Sequence, residues 1–169
     1  NVGIINSLYF SFGFNGYLKN LETLQNFINT NVMNYCNYDN SKPTSFRDAY
    51  FANLNSIEKC EAITTNNKNK NYERKIVKNS YSLDKNIIIT GPNASGKTTL
   101  LKSTLFNVIL SQQIGCGFFN SASVKIYDYI HCYINIPDTG GRDSLYQAEA
   151  RQCKNILETI ENNSTKNHF

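Results

Sequence analysis

Apolar positions in the first forty residues recur at helical spacing. Ile4, Ile5, Leu8, Tyr9 and Phe12 form one run, and Leu18, Leu21, Leu24 and Ile28 form a second, so the spacing predicts helix on either side of a break at Gly13 to Gly16. Residues 36–48 turn polar around Asp39, Asn40, Ser41 and Pro43 and read as loop, with a short strand expected at 49–54. Residues 64–78 set Lys68, Lys70, Arg74, Lys75 and Lys78 among asparagines and read as a solvated loop.

The pattern sharpens after residue 80. Ile87-Ile88-Ile89, within residues 86–90, is the continuous apolar run expected of a strand buried on both faces. A glycine-rich turn follows. Leu100, Leu101, Thr104, Leu105, Val108 and Ile109 then mark an amphipathic helix ending near Gly115. Ile130, Cys132, Ile134 and Ile136 alternate with Tyr129, His131, Tyr133 and Asn135, which predicts a two-faced strand. After a turn at residues 137–141, Ser144 opens a second helix with Gln147 completing a capping box. Its expected inner face is Leu145, Ala148, Cys153, Ile156, Leu157 and Ile160. No internal repeat is present.

The 169 residues suit one ordinary domain, and a chain that is 40% hydrophobic and 18% charged can bury a core. No apolar run reaches the roughly 18 residues of a membrane span, so no membrane partner is expected. The net charge of +4 permits nucleic-acid contact without arguing for it. Five cysteines, odd in number and without C-x-x-C spacing, read as reduced thiols of an intracellular protein, cytoplasmic or nuclear. The Asn- and Lys-rich composition fits a low-GC genome, viral or microbial. A start at Asn1, with Met33 the single methionine, reads as an internal piece of a longer protein.

The sharpest motif is Gly91-Pro92-Asn93-Ala94-Ser95-Gly96-Lys97-Thr98, a match to G-x-x-x-x-G-K-[ST] placed after an expected strand and opening an expected helix. Glycines let the backbone turn its N–H groups around an anion, and the helix N-terminus adds partial positive charge. In this pattern Lys97 reaches the β- and γ-phosphates, and the Thr98 hydroxyl ligates Mg²⁺. ATP and Mg²⁺ are the implied ligands, with Thr99 completing the loop.

Thr90-Gly-Pro-Asn93 followed by Gly96-Lys97-Thr98-Thr99 resembles the phosphate loop of the MutS family of mismatch-repair ATPases. Gln113-Ile114-Gly115 is similar to that family's Q-I-G segment, and Ser144-Leu-Tyr146-Gln-Ala-Glu149 to its S-T-F-M-V-E helix start. Ile156-Leu157 stands where the family has an apolar pair. The resemblance runs from Asn79 to Phe169. It departs where Arg142-Asp143 replace Gly-Gln before the serine and where Ala94 replaces Met, which marks a divergent branch.

The resemblance implies an α/β fold: an incomplete P-loop core of the ATP-binding-cassette type, preceded by a helical segment. Residues 1–45 would be the end of the family's lever region. Residues 46–169 would be the first part of the ATPase domain, cut before the strand that carries the catalytic carboxylates, so this stretch alone should hydrolyse nothing. The full protein would couple ATP binding and hydrolysis to recognition of mismatched or irregular DNA, gripped mainly by other domains, and would pair as a homo- or heterodimer. Ser144 would contact the γ-phosphate of the partner's ATP; its other reading is a plain N-cap. Two rival functions stand beside this one, a transporter or chromosome-clamp ATPase and a non-catalytic nucleotide-gated module.

Other residues carry a plain reading beside a sharp one. His131 reads as packed or solvent-facing rather than catalytic. Asp138 and Asp143 read as turn and cap residues, with a γ-phosphate neighbour as the sharper view. The lysine-rich loop is solvated or touches DNA phosphates. Tyr50 and Phe51 pack in the core or stack on adenine.

Overall fold

The computed structural model describes residues 2–52, 76–133 and 145–169. The chain divides into two compact units, Asn1–Val124 and Lys125–Phe169. The fold is mixed α/β.

In the first unit, α1 is a single helix over Val2–Asn29. The expected break at Gly13 to Gly16 does not occur. Glycine inside a helix costs about 1 kcal/mol relative to alanine but does not forbid it, and the apolar rows on either side continue in phase. No residue of α1 is buried, and Phe10 stacks on Phe14 with ring centroids 6.2 Å apart. The helix ends where Asn31 adopts a left-handed φ of 55° and the Val32 and Met33 amides donate back to the Phe27 carbonyl.

Five strands follow in the described residues: β1 (Asn34–Tyr38), β2 (Ser45–Ala49), β3 (Asn79–Ser82), β4 (Cys116–Gly117) and β5 (Ser121–Val124). Their order is β3-β2-β5-β1-β4. β1 runs parallel to β5, and the other pairings are antiparallel. The loop expected at 36–48 is thus two strands joined by a turn, and β2 lies earlier than the strand expected at 49–54. The reason is a bulge. Asp48, at φ 54°, shifts the register between Phe46 and Ala49, so these two residues, three apart, both face the core. That spacing hides the usual two-residue alternation. Because β1 pairs with both β4 and β5, the sheet also joins residues before 45 to residues after it.

Helix α2 (Lys97–Ile114) packs on this sheet, and Gly115 closes it in the left-handed region with its N–H donating to the Ser111 carbonyl at 2.9 Å. The buried face differs from the expected apolar stripe. Ser103, Asn107, Val108 and Ser111 are buried, whereas Leu101 is half exposed. Small and polar residues let the helix approach closely, and the Asn107 carboxamide makes the approach specific. Its Oδ1 accepts from the Phe118 amide at 2.7 Å, while Nδ2 lies 3.3 Å from the Tyr50 carbonyl and 3.4 Å from the Phe118 carbonyl. Gly117 is required here, since a Cβ on it would stand 2.8 Å from Asn107 Oδ1 and 2.5 Å from Phe119 Cε1. Beneath lie Phe46, Phe119, Cys116 and Val124, with Tyr81 donating to or accepting from Thr104 at 2.8 Å.

Residues 86–90 are not a strand. Ile88 is 89% exposed and Ile87 50%. A strand buried on both faces exists only through its neighbours, and the five-stranded sheet supplies none for this run.

In the second unit, α3 (Leu145–Asn162) is followed by a turn that brings residues 167–169 beside residues 128–131 in parallel, with a bridge between Tyr129 and His168. A helix between two parallel extended segments is the connection such a pairing requires. The strand expected over 129–136 is realised only as this short bridge at its start; residues 134–136 lie outside the described residues. On α3, Ala148, Ile156 and Ile160 are partly covered, but Leu157 and Cys153 are exposed, so the expected inner face is only half right.

Candidate nucleotide-binding loop

Residues 91–96 form an exposed turn that runs directly into α2. Gly96 stands at the N-cap in the left-handed region, φ 90° and ψ 9°, where a side chain would be strained. Ala94 is also left-handed, at φ 61°, an uncommon state for a residue with a Cβ. The Ser95 amide closes the turn on the Pro92 carbonyl at 3.3 Å. At Gly91 a Cβ would meet Ser95 Oγ at 3.0 Å, a tight contact that a side chain there would have to relieve.

Lys97 is the first residue of α2. Its ammonium folds back over the turn and donates to the carbonyls of Gly91 at 2.7 Å and Pro92 at 2.6 Å. The cation is therefore held across the loop, beside the helix start. No side chain caps that start, and the first amides of a helix have no intrahelical acceptor. The positive end of the helix dipole and one ammonium therefore lie at the same end of α2. The motif carries no acidic side chain to oppose an anion there. A helix start of this kind, with a cation beside it, favours an anion over a cation by general physical chemistry.

The remaining candidates are placed as follows. Tyr50 is buried, its hydroxyl donates to the Val32 carbonyl at 2.7 Å, and its ring meets Phe118 edge-on at 5.7 Å. Core packing, not stacking on a base, is its role. Phe51 lies 5.6 Å from Phe106. Lys78 sits over the Tyr50 ring at 5.4 Å. Ser144, Asp138, Asp143, Lys68, Lys70, Arg74 and Lys75 lie outside the described residues. Among those described, no cluster of three His, Cys, Asp or Glu could hold a metal, and no helix is long and apolar enough to cross a membrane. Sequence reasoning missed Asn107 and His168. Asn107 occupied a position on the same helix as the expected stripe but was passed over because the search was for apolar residues, and His168 had no motif around it.

Comparison with known proteins adds a decisive observation. The family model described as MutS domain V matches residues 87–165, a span that takes in the glycine-rich loop, α2 and α3. Over that span the chain is similar to the MutS family. Among its MutS-family relatives is the DNA mismatch repair protein MSH3 of Debaryomyces hansenii, 28% identical over 89% of this chain and 15% of that protein. The Msh3 protein of Dictyostelium discoideum is 36% identical over 49% of the chain and 6% of its own length. The MutS protein of Prochlorococcus marinus is 33% identical over 54% of the chain and 10% of its own length. The chain thus spans only a small part of these relatives.

Proposed function

We propose that this chain is the ATP-binding part of a MutS-like DNA mismatch repair protein, in which ATP binding and hydrolysis are coupled to recognition of mismatched or irregular DNA. The observation that carries the reading is the Lys97 ammonium, held across a glycine-rich turn at the start of an 18-residue helix. The residues fit a magnesium-bound nucleoside triphosphate: Gly91 keeps clear the space beside Ser95 that a Cβ would crowd, and the hydroxyl of Thr98 offers the hard oxygen donor that Mg²⁺ prefers. Backbone amides from 93 to 98 and Lys97 would hold the phosphates, and Thr98 would hold the metal ion, which supplies charge neutralisation at the phosphates when bound. Thr99 would follow on the first turn of α2.

The wider reading rests on the relatives. Those proteins are named for DNA mismatch repair, and we extend to this chain an intracellular site of action, DNA as the polymer acted on, and pairing of two ATPase domains with Ser144 facing the partner's γ-phosphate.

The test is titration of the chain with magnesium-ATP, followed by calorimetry, beside a Lys97→Ala variant. Loss of a charge-assisted contact to phosphate should weaken binding by about 10- to 100-fold. Near-normal affinity in the variant, with its fold intact by circular dichroism, would remove the nucleotide-binding assignment.

A further inference from the structure

The chain contains two histidines, His131 and His168, and the second unit brings them together. His131 Nε2 lies 3.0 Å from His168 Nδ1, and His168 Nε2 lies 2.9 Å from the Asn163 carbonyl oxygen. The rings stack with Tyr129 nearly parallel, His168 5.0 Å from Tyr129 and 5.3 Å from His131. Around them the backbone is bridged: the His131 amide donates to the Phe169 main-chain oxygen at 2.8 Å and the Phe169 amide to the Tyr129 carbonyl at 2.9 Å. Tyr129 donates its hydroxyl to Asn163 Oδ1 at 3.1 Å, tying the same rings to the end of α3.

Proton counting fixes what this contact tolerates. A carbonyl oxygen only accepts, so His168 Nε2 carries a hydrogen, and the neutral ring then presents Nδ1 as an acceptor. His131 Nε2–H is the donor. One added proton goes to His131 Nδ1 and leaves the contact in place. A second has only His168 Nδ1 to occupy, where it meets the His131 Nε2–H head-on and sets two cations side by side. With both rings charged, no acceptor remains.

We propose that His131 and His168 form a proton-operated clasp that holds residues 167–169 against residues 128–131 and opens when both rings are protonated. The other charged and titratable groups nearby do not replace it. Asp128 accepts from the Asn167 amide at 2.9 Å and faces Lys166 at 3.9 Å, while Tyr133 faces Glu149 and Cys153 of α3. The closed clasp binds at most one added proton and the open one binds two, so acid favours opening. With solvated imidazoles titrating at about pH 6.5, one extra proton raises the opening constant about 30-fold between about pH 7.5 and about pH 5.

Amide hydrogen exchange by NMR on the full chain tests this. Protection factors of the His131 and Phe169 amides, corrected for intrinsic rates, should fall about 30-fold over that interval. The Leu83 amide, bonded to the Thr44 carbonyl at 2.8 Å in the first unit, should not change in parallel. His131→Gln offers an amide that donates to His168 Nδ1 and, turned over, accepts from it, so the fall should vanish. Unchanged protection in the unsubstituted chain, or an equal fall in His131→Gln, overturns the clasp. Ring ¹⁵N shifts give a second reading that needs no variant: at neutral pH His168 should be the Nε2–H tautomer, and the Nδ1–H tautomer would also overturn the proposal.

Discussion

Replacing Asn107 is the most direct test of how α2 is fixed to the sheet. The residue is 1% exposed, and its one strong bond is the 2.7 Å contact from the Phe118 amide to Oδ1; the three bonds from Nδ2 are longer, 3.3 to 3.4 Å. Asn107→Leu keeps the volume but leaves the Phe118 N–H buried without an acceptor. An orphaned amide costs about 1–3 kcal/mol and the added apolar burial returns part of it, so a net loss of about 2 kcal/mol is expected. Asn107→Asp retains the acceptor for Phe118 but aims its second oxygen at the Tyr50 and Phe118 carbonyls. At neutral pH an uncompensated buried carboxylate should cost about 3–5 kcal/mol. The pH dependence then separates the two variants. In Asn107→Asp the fold should raise the introduced carboxyl above its unfolded value, so the folded state binds the extra proton and part of the lost stability returns as pH falls toward the unfolded value of about 4. Asn107→Leu should show no such recovery. The assay is urea denaturation at about pH 5 and about pH 8, comparing midpoints at constant slope. A Leu variant as stable as the parent, or an Asp variant whose deficit is the same at both pH values, would refute the role assigned to this carboxamide.

Gly117→Ala should destabilise the first unit by about 1–3 kcal/mol, because the new methyl would overlap Phe119 and crowd Asn107 Oδ1; thermal unfolding reads the loss, and it should shrink when Phe119→Leu is added. Ala94→Gly should stabilise the chain by about 1 kcal/mol by relieving the left-handed backbone at φ 61°, an effect measured by chemical denaturation and absent if the loop is not held in that state. Asp39 is held at about 2 by hydrogen bonds from the Ser41 hydroxyl, the Lys42 side chain and the Ser41 amide. Its contribution to stability is therefore present above its unfolded value of about 3.9 and lost as pH falls through about 2; Ser41→Ala should raise the Asp39 titration toward the unfolded value in a carboxyl NMR experiment.

Features that depend on neighbours along the chain were legible in the residues alone. The helix from Lys97 to Ile114 and its stop at Gly115 follow from local spacing and from a glycine able to take positive φ. The phosphate-loop motif follows from glycine and lysine at fixed intervals, and the likeness to MutS followed from the same residues. Tertiary structure decided what depends on partners remote in sequence. Ile87-Ile88-Ile89 has a strand's composition and no ladder, because hydrogen-bonding neighbours make a strand and apolar content alone does not. Phe46 and Ala49 share a face only because a bulge at Asp48 adds a residue to the period. Asn107 looked like a break in an apolar stripe until Phe118 and Tyr50 supplied its partners, and His131 and His168, 37 residues apart, gained a shared chemistry only when the chain returned past α3 to place them side by side.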